Sequence, residues 1–375
     1  MADTTAMNQA EPVVSNGVVI AFRLFDIAYE IDLAKVESVW AARARTASRG
    51  RLTATPPKAM AFDVPPVSLV LDPVTLPGIA VQAEAIARVY DFGAVSIALR
   101  VPIRDMKWSD FVAQMNAVDR SVGQTEADPW VDLLRQLRTT LAPALLRAES
   151  SALQEDYLIG VVHGFDQEMT AASLQERLDL VPLLSGERRM LSDGARQDLL
   201  RQRFSYYTDD LVVLTWDRAF IYEPRGDADV IDVLEIANAQ LLEMRYYDEL
   251  LDAELPRMYD LVAAERGKLA PLAARRFGNL ARRFQTLVAE VTELTEKVDN
   301  ALQVTEDVYL ARVYSAALEL FRVSTVSAAV DRKLAIIRDT YSALYDEAHS
   351  SRAELLEVLI VLLIVVEIAL AVIRP

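Results

Sequence analysis

The sequence predicts an α+β protein: a pseudo-duplicated βαββα, ferredoxin-like domain, then a long-helix antiparallel bundle or coiled coil, then one C-terminal transmembrane helix. Three observations predict it. The segment before Asp229 reads twice as strand–helix–strand–strand–helix, the segment after it spaces apolar residues in alternating steps of four and three, and the chain closes on the apolar run Leu355–Ile373. The divisions that follow are a flexible leader at 1–16, a first α+β unit at 17–125, a second at 126–228, a helical bundle at 229–352 and a membrane anchor at 353–375.

In the first unit, Val18–Phe25 (VVIAFRLF) reads as a strand and Ile31–Ala41 as a short helix. Residues 42–60 are loop-like, with Gly50 and the pair Pro56-Pro57, and two β-like pieces lie between Val67 and Val81, broken by Pro73 and Pro77. Strands at 86–91 and 94–100 flank a tight turn at Phe92-Gly93, a hairpin signal. Helices are predicted over Trp108–Val122 and Pro129–Glu149. In the second unit, Tyr157–Gly164 is a strand, 171–203 is helical, and Leu211–Trp216 with Ala219–Tyr222 forms a hairpin around Asp217-Arg218.

From Asp229 the chain turns helical. Val230, Leu234, Ala237, Leu241, Met244, Asp248, Leu251, Leu255, Met258 and Val262 line one seam. Leu280, Phe284, Leu287, Val291, Leu294, Val298 and Ala301 line a second, and Val330, Leu334, Ile337, Tyr341, Leu344 and Ala348 a third that runs toward the tail. Such stripes are buried against partner helices, within one chain or between copies, so a homo-oligomer is expected.

Nineteen residues of helix, Leu355 to Ile373, span roughly 28 Å, close to the thickness of a bilayer's hydrocarbon core. Glu357 sits at the entry, within reach of the headgroups; Glu367 lies about 18 Å in, and Arg374 suits the far interface. The rival reading is a helix buried at a protein interface in a soluble oligomer. The N-terminus has no basic region followed by an apolar run, so the expectation is a single-pass protein of the cytoplasmic (inner) membrane of a bacterium, its bulk in the cytoplasm.

The chain has no cysteine, which excludes disulfides, thiol nucleophiles and cysteine-ligated metals. Its formal net charge of −16 argues against a DNA-binding role and against attachment of the bulk to anionic lipid. None of the standard phosphate-loop, dinucleotide, zinc-protease or serine-hydrolase motifs is present. The two histidines, His163 and His349, lie far apart in sequence; the first reads as structural and the second as interfacial. Asp248 falls on an apolar seam beside Arg245, where a buried carboxylate calls for an ion-pair partner. With Glu243, Glu249 and Asp252 it lines one helix, but no Glu-x-x-His pair accompanies them. Arg43, Arg45, Arg49 and Arg51 in a loop, and Arg275, Arg276, Arg282 and Arg283 on one helical face, are candidates for anionic headgroups or RNA against the plainer reading of a solvated surface. Tyr206-Tyr207 and Tyr246-Tyr247 read as packing residues rather than stacking platforms.

The C-terminal third resembles the required-for-meiotic-nuclear-division (sporulation-protein RMD-like) family. The residues that carry the likeness are a helix through Val308–Leu320, a second over Val326–His349, and then His349, Arg352, Glu354 and Leu355 ahead of an apolar run with a late Glu367. Tyr90–Val95 (YDFGAV) and Asn238–Glu243 (NAQLLE) are similar to two further family segments, whereas Thr305–Tyr309 stands where the family has Pro-Asp-Phe-Tyr-Trp. The resemblance implies one C-terminal membrane helix behind a soluble α/β plus coiled domain. It brings no catalytic residues, and it implies the translation machinery as a partner, since mitochondrial members support organellar translation by holding ribosomes near the inner membrane.

Taken together, these features predict a membrane-anchored, non-enzymatic scaffold without a cofactor or resident metal. Its partners would be membrane lipid, further copies of itself, and a cytoplasmic protein or ribosome. The alternative is a magnesium-dependent enzyme using carboxylates such as Asp209, Asp210 or Asp248.

Overall fold

The computed structural model describes residues 11–42, 47–49, 64–123, 128–148, 152–265 and 307–373, with single positions between 279 and 292. The chain divides into two compact units, one formed by 1–243 with 298–323, the other by 244–297 with 324–375.

The first unit is built on one nine-stranded sheet. Its strands are β1 (Val13–Asp26), β3 (Ala47–Arg49), β4 (Val67–Val70), β5 (Glu84–Val89), β6 (Ala94–Lys107), β8 (Gln154–Phe165), β9 (Gln202–Phe204), β10 (Leu211–Leu214) and β11 (Arg218–Tyr222). They lie in the order β3-β4-β5-β6-β1-β8-β11-β10-β9. All neighbours are antiparallel except β8 and β11, which are parallel. Short strands β2 (Ala28–Ile31) and β7 (Leu145–Ala148) pair separately. The fold is therefore a mixed α+β one with a large mixed sheet, and β1 lies against β8, so the segments expected as two units share it. They do not repeat each other: β1 takes an antiparallel inner neighbour, β6, whereas β8 takes a parallel one, β11.

The central strands are apolar almost throughout because both of their faces are covered. On one face, Val19 and Ala21 join a core with Phe111 and Met115 of α2 (Trp108–Val122) and with Trp130, Leu133 and Leu137 of α3 (Pro129–Leu141). On the other, Phe22 stacks on Tyr157 at 5.8 Å, and Tyr157 meets the edge of Phe321 at 5.3 Å. Helix α1 (Leu33–Ala41) starts at Asp32, whose side chain accepts from the Lys35 backbone N–H. The hairpin between β5 and β6 turns at Gly93, with φ of 106°; a Cβ there would collide with the Ala28 carbonyl, so only glycine fits.

Two expected helices are shorter than periodicity indicated. The helix expected over Pro129–Glu149 ends at Leu141, because Pro143 removes a backbone donor and turns the chain through a 3-10 segment into β7. The region 171–203 breaks into α4 (Ala171–Arg177), α5 (Val181–Ser185) and α6 (Asp193–Leu199), then the short β9. Pro182 opens α5 and Gly186 closes it in the left-handed conformation.

Helices α7 (Asp229–Glu265), α8 (Val308–Leu320) and α9 (Val323–Ile373) follow, and the described positions between 279 and 292 are helical as well. In the second unit Leu251, Met258, Val330, Leu334 and Ile337 are buried, and the Lys333 ammonium lies 2.6 Å from a carboxylate oxygen of Asp248 and 2.6 Å from one of Asp252. Helix α9 is unbroken over its 51 residues. Among the described residues no single helix is long and apolar enough to cross a membrane; α8 and the first part of α9 meet that measure only as a bent pair.

Candidate functional site

Three places in the first unit concentrate charge or open space. The first is a small polar cleft where β1, β8 and β11 reach the C-terminal end of α2. Antiparallel register sets Arg23 opposite Asp156, and the parallel pair sets Arg218 opposite Leu158. With Asp119, Asp217 and Trp130 these residues line a cavity of about 50 Å³, room for a few water molecules. The Arg218 guanidinium is buried and makes three hydrogen bonds: it donates to Asn116 Oδ1 at 2.6 Å, Asp119 Oδ2 at 2.6 Å and the Leu183 carbonyl at 3.0 Å. Gly186 roofs it, and a Cβ there would strike the guanidinium. Burial pushes the Asp217 carboxyl up, and it pushes the Tyr157 hydroxyl well above its ordinary range. That hydroxyl donates to the carbonyls of Thr215 and Arg218, so no base stands ready to ionise it. Arg218 joins α2, α5 and β11 through charge-assisted hydrogen bonds; the cleft reads as a structural joint.

The second place is a buried ion triad. Arg88 on β5 lies 2.5 Å from Asp232 and 2.9 Å from Glu235, both on the first turns of α7, and the Tyr90 hydroxyl donates to Glu235 at 3.3 Å. Burial raises the Asp232 carboxyl, an effect the adjacent Arg88 opposes. These residues fix where α7 crosses the sheet. A reading by periodicity passes over them, although an arginine inside the strand EAIARV and acids three apart in the apolar run VIDVLEIA were a usable signal.

The third place is an open groove between the edge strand β9 and α8. Its volume is about 570 Å³, and Gln202, Phe204, Val308, Ala311, Ser315 and Glu319 are among the residues that line it. Apart from the groove lining, the carboxylates of Asp227, Asp232, Asp307 and Glu223 act on Asp229 at the start of α7. Burial first, and then these four charges, raise the Asp229 carboxyl to about 7. Asp229 holds its proton more tightly folded than unfolded, so stability falls as pH rises from about 4 to about 7 and is flat above. Asp229 is only partly buried, and solvent screening limits the expected loss to about 1–2 kcal/mol. Replacing Asp229 with Asn should remove that fall, as measured by urea titrations at pH 5 and pH 8.

The sequence-selected residues are dispersed. His163 Nδ1 lies 2.9 Å from the Glu223 carbonyl, a structural contact. Asp210 is buried and accepts from the backbone N–H groups of Tyr206 and Tyr207, while Asp209 pairs with Arg225 at 3.4 Å. Tyr206 and Tyr207 are exposed, with the Arg225 guanidinium 3.8 Å above the Tyr207 ring. Asp248 takes Lys333, on α9, as an ion-pair partner, and lies in a different unit from Asp209 and Asp210. Glu243 is buried and Glu249 exposed. Among the described residues no three acidic or histidine side chains are arranged to hold a metal ion. Arg282 is exposed and donates to Asn279 at 2.7 Å. Arg43, Arg45, Arg51, Arg275, Arg276, Arg283 and Arg374 lie outside the described residues, as do the side chains of Arg49, His349, Arg352, Glu354, Leu355 and Glu357. Glu367 is exposed on α9.

Residues 16–229 match the family model described as "Uncharacterized protein MJ0711, N-terminal domain". The match takes in nearly all of the sheet and stops where α7 begins. "Uncharacterized protein MJ0711" of Methanocaldococcus jannaschii is 25% identical over 193 residues, covering 51% of this chain and 58% of the relative. The match thus spans just over half of that relative's length. No solved structure matches. The family found is one of uncharacterised proteins and not the RMD-like one. The likeness drawn in the C-terminal third lies outside the matched residues, and nothing in the match bears on a bacterial source.

Proposed function

This chain belongs to the family of the MJ0711 N-terminal domain, and on that premise we propose that it is a membrane-attached, non-enzymatic scaffold. The sheet domain presents a binding surface, and α9 carries the anchor. The observation that carries the reading is the exposure of α9 near its end. Val361, Leu362, Leu363, Ile364 and Val365 are consecutive, each between 50% and 59% exposed. Five consecutive helical residues point in every direction around the axis. A helix apolar on all sides and exposed on all sides calls for lipid, or for a protein cover, since contiguous apolar surface of this kind is rare on a soluble monomer. The run from Leu355 to Ile373 supplies the length that lipid requires.

Placing lysine at both Leu362 and Val365 tests this. Each lysine near the centre of a membrane helix costs about 3 kcal/mol, so the double variant is expected to leave the membrane fraction for the soluble one on flotation of cell membranes. Retention of the variant with the membranes would overturn the proposal. The ribosome, which entered through the RMD-like resemblance alone, is not carried forward as the partner.

A further inference from the structure

Glu367 sets a problem that lipid alone does not solve. Among the described side chains of the apolar run, Ile360 to Ile368, it is the single charged one, and all of them are exposed. No hydrogen bond or ion pair holds it among the described residues. The middle of the run Leu355–Ile373 falls at Ile364, so Glu367 lies about 4 to 5 Å past the centre of a bilayer that α9 spans. An acidic side chain at that depth is costly, and those that persist there face a partner or a water-filled cavity.

Two escapes are closed. The nearer surface lies beyond Ile373, about 9 Å of helix away. Cα–Cβ bonds in an α-helix tilt toward its N-terminus, so the Glu367 side chain leans back toward the bilayer centre rather than out to that surface. Its own helix offers no donor either. The residues three and four positions to each side are Leu363, Ile364, Leu370 and Ala371, all apolar.

A second copy supplies what is missing. Chains anchored by their last helix insert in one orientation, so two copies lie parallel and their Glu367 side chains meet at one depth. We infer that α9 pairs with α9 of a second copy in the membrane, held by a hydrogen bond between the two Glu367 carboxyl groups, one of which carries the proton. Interhelical hydrogen bonds of this kind join membrane helices, because hydrocarbon offers a polar group no other partner. The pair is symmetric, so the same face is used on both copies. Ile360 and Leu363 lie within about 40° of Glu367 around the helix axis and belong to that face, whereas Val365 lies about 160° away. Lipid covers the rest of the helix. The inference rests on the membrane attachment proposed above and names a partner for the same helix.

The chain has no cysteine, so single introduced thiols report the contact face without background. The full-length variants Leu363→Cys and Val365→Cys are oxidised with copper phenanthroline in the membranes of cells making them, and disulfide-linked dimer is read on non-reducing gels. Linkage requires Cα atoms within about 7 Å, so Leu363→Cys is expected to give at least about fivefold more dimer than Val365→Cys. Adding Glu367→Leu to Leu363→Cys should bring linkage down to the Val365→Cys level. Adding Glu367→Gln instead should leave most of it, because an amide both donates and accepts. Equal linkage at 363 and 365 would overturn the inference. So would linkage at 363 that Glu367→Leu leaves unchanged, the result expected of copies held together by their helical bundles alone. Flotation of the same membranes separates this pairing from the anchor. A chain that floats without a face-specific, Glu367-dependent link loses the pairing alone, and a chain that does not float loses the anchor and the pairing with it.

Discussion

Replacing Arg88 with Met is expected to destabilise the sheet domain by about 3 kcal/mol. The guanidinium lies between Asp232 and Glu235, at 2.5 and 2.9 Å, and both carboxylates are nearly buried. Without it, two acids three residues apart on α7 face each other and the Tyr90 hydroxyl with no cation between them. Methionine fills the arginine's stem but offers no donor, so the loss measures the uncompensated charge rather than a cavity. The triple variant Arg88→Met, Asp232→Asn, Glu235→Gln removes the charges together and should recover most of the loss. All four tryptophans, Trp40, Trp108, Trp130 and Trp216, lie in the sheet unit. Their fluorescence during urea unfolding therefore reports this domain alone. A loss below about 1 kcal/mol would place the triad among the weak surface pairs and deny it the docking of α7.

The second large effect is expected at Arg218. Truncation to Ala leaves Asn116 Oδ1, Asp119 and the Leu183 carbonyl without the donor that joins them, at a cost of about 3 kcal/mol. Gly186→Val should cost about 2 kcal/mol on its own. Its φ of 65° is strained for a branched residue, and the new side chain meets the guanidinium from above. Because both changes act on one joint, the double variant should lose less than the sum of the two. Full additivity in the same urea experiment would show that Gly186 and Arg218 are independent.

Local features of the fold were legible in sequence. The β5–β6 hairpin announces itself by Gly93 between two alternating runs, and α1 by the apolar spacing of Leu33, Val36 and Trp40. The long helices after Asp229 were plain from their period, and α9 continues without a break into the apolar run as the pattern predicts. What escaped depends on distant partners. Strands β2 and β7 are four residues each and pair across more than a hundred positions, and Arg88 meets Asp232 and Glu235 across a similar gap. No local period encodes such pairings. The merging of both halves into one sheet also turns on a single contact, β1 against β8, between strands that look alike in isolation. The groove was invisible because three-residue β9 is too short to register as a strand and its lining comes from a helix a hundred residues away.

The central claim, attachment through the last helix, is tested most directly by alkaline carbonate extraction of membranes from cells making either the full-length chain or a chain stopped after Ser351. The account predicts that the full-length protein stays in the pellet and the shortened one washes into the supernatant. A full-length protein that washes off would contradict it: the exposed apolar stretch of α9 would then be covered by protein, and the anchor would be an oligomer interface.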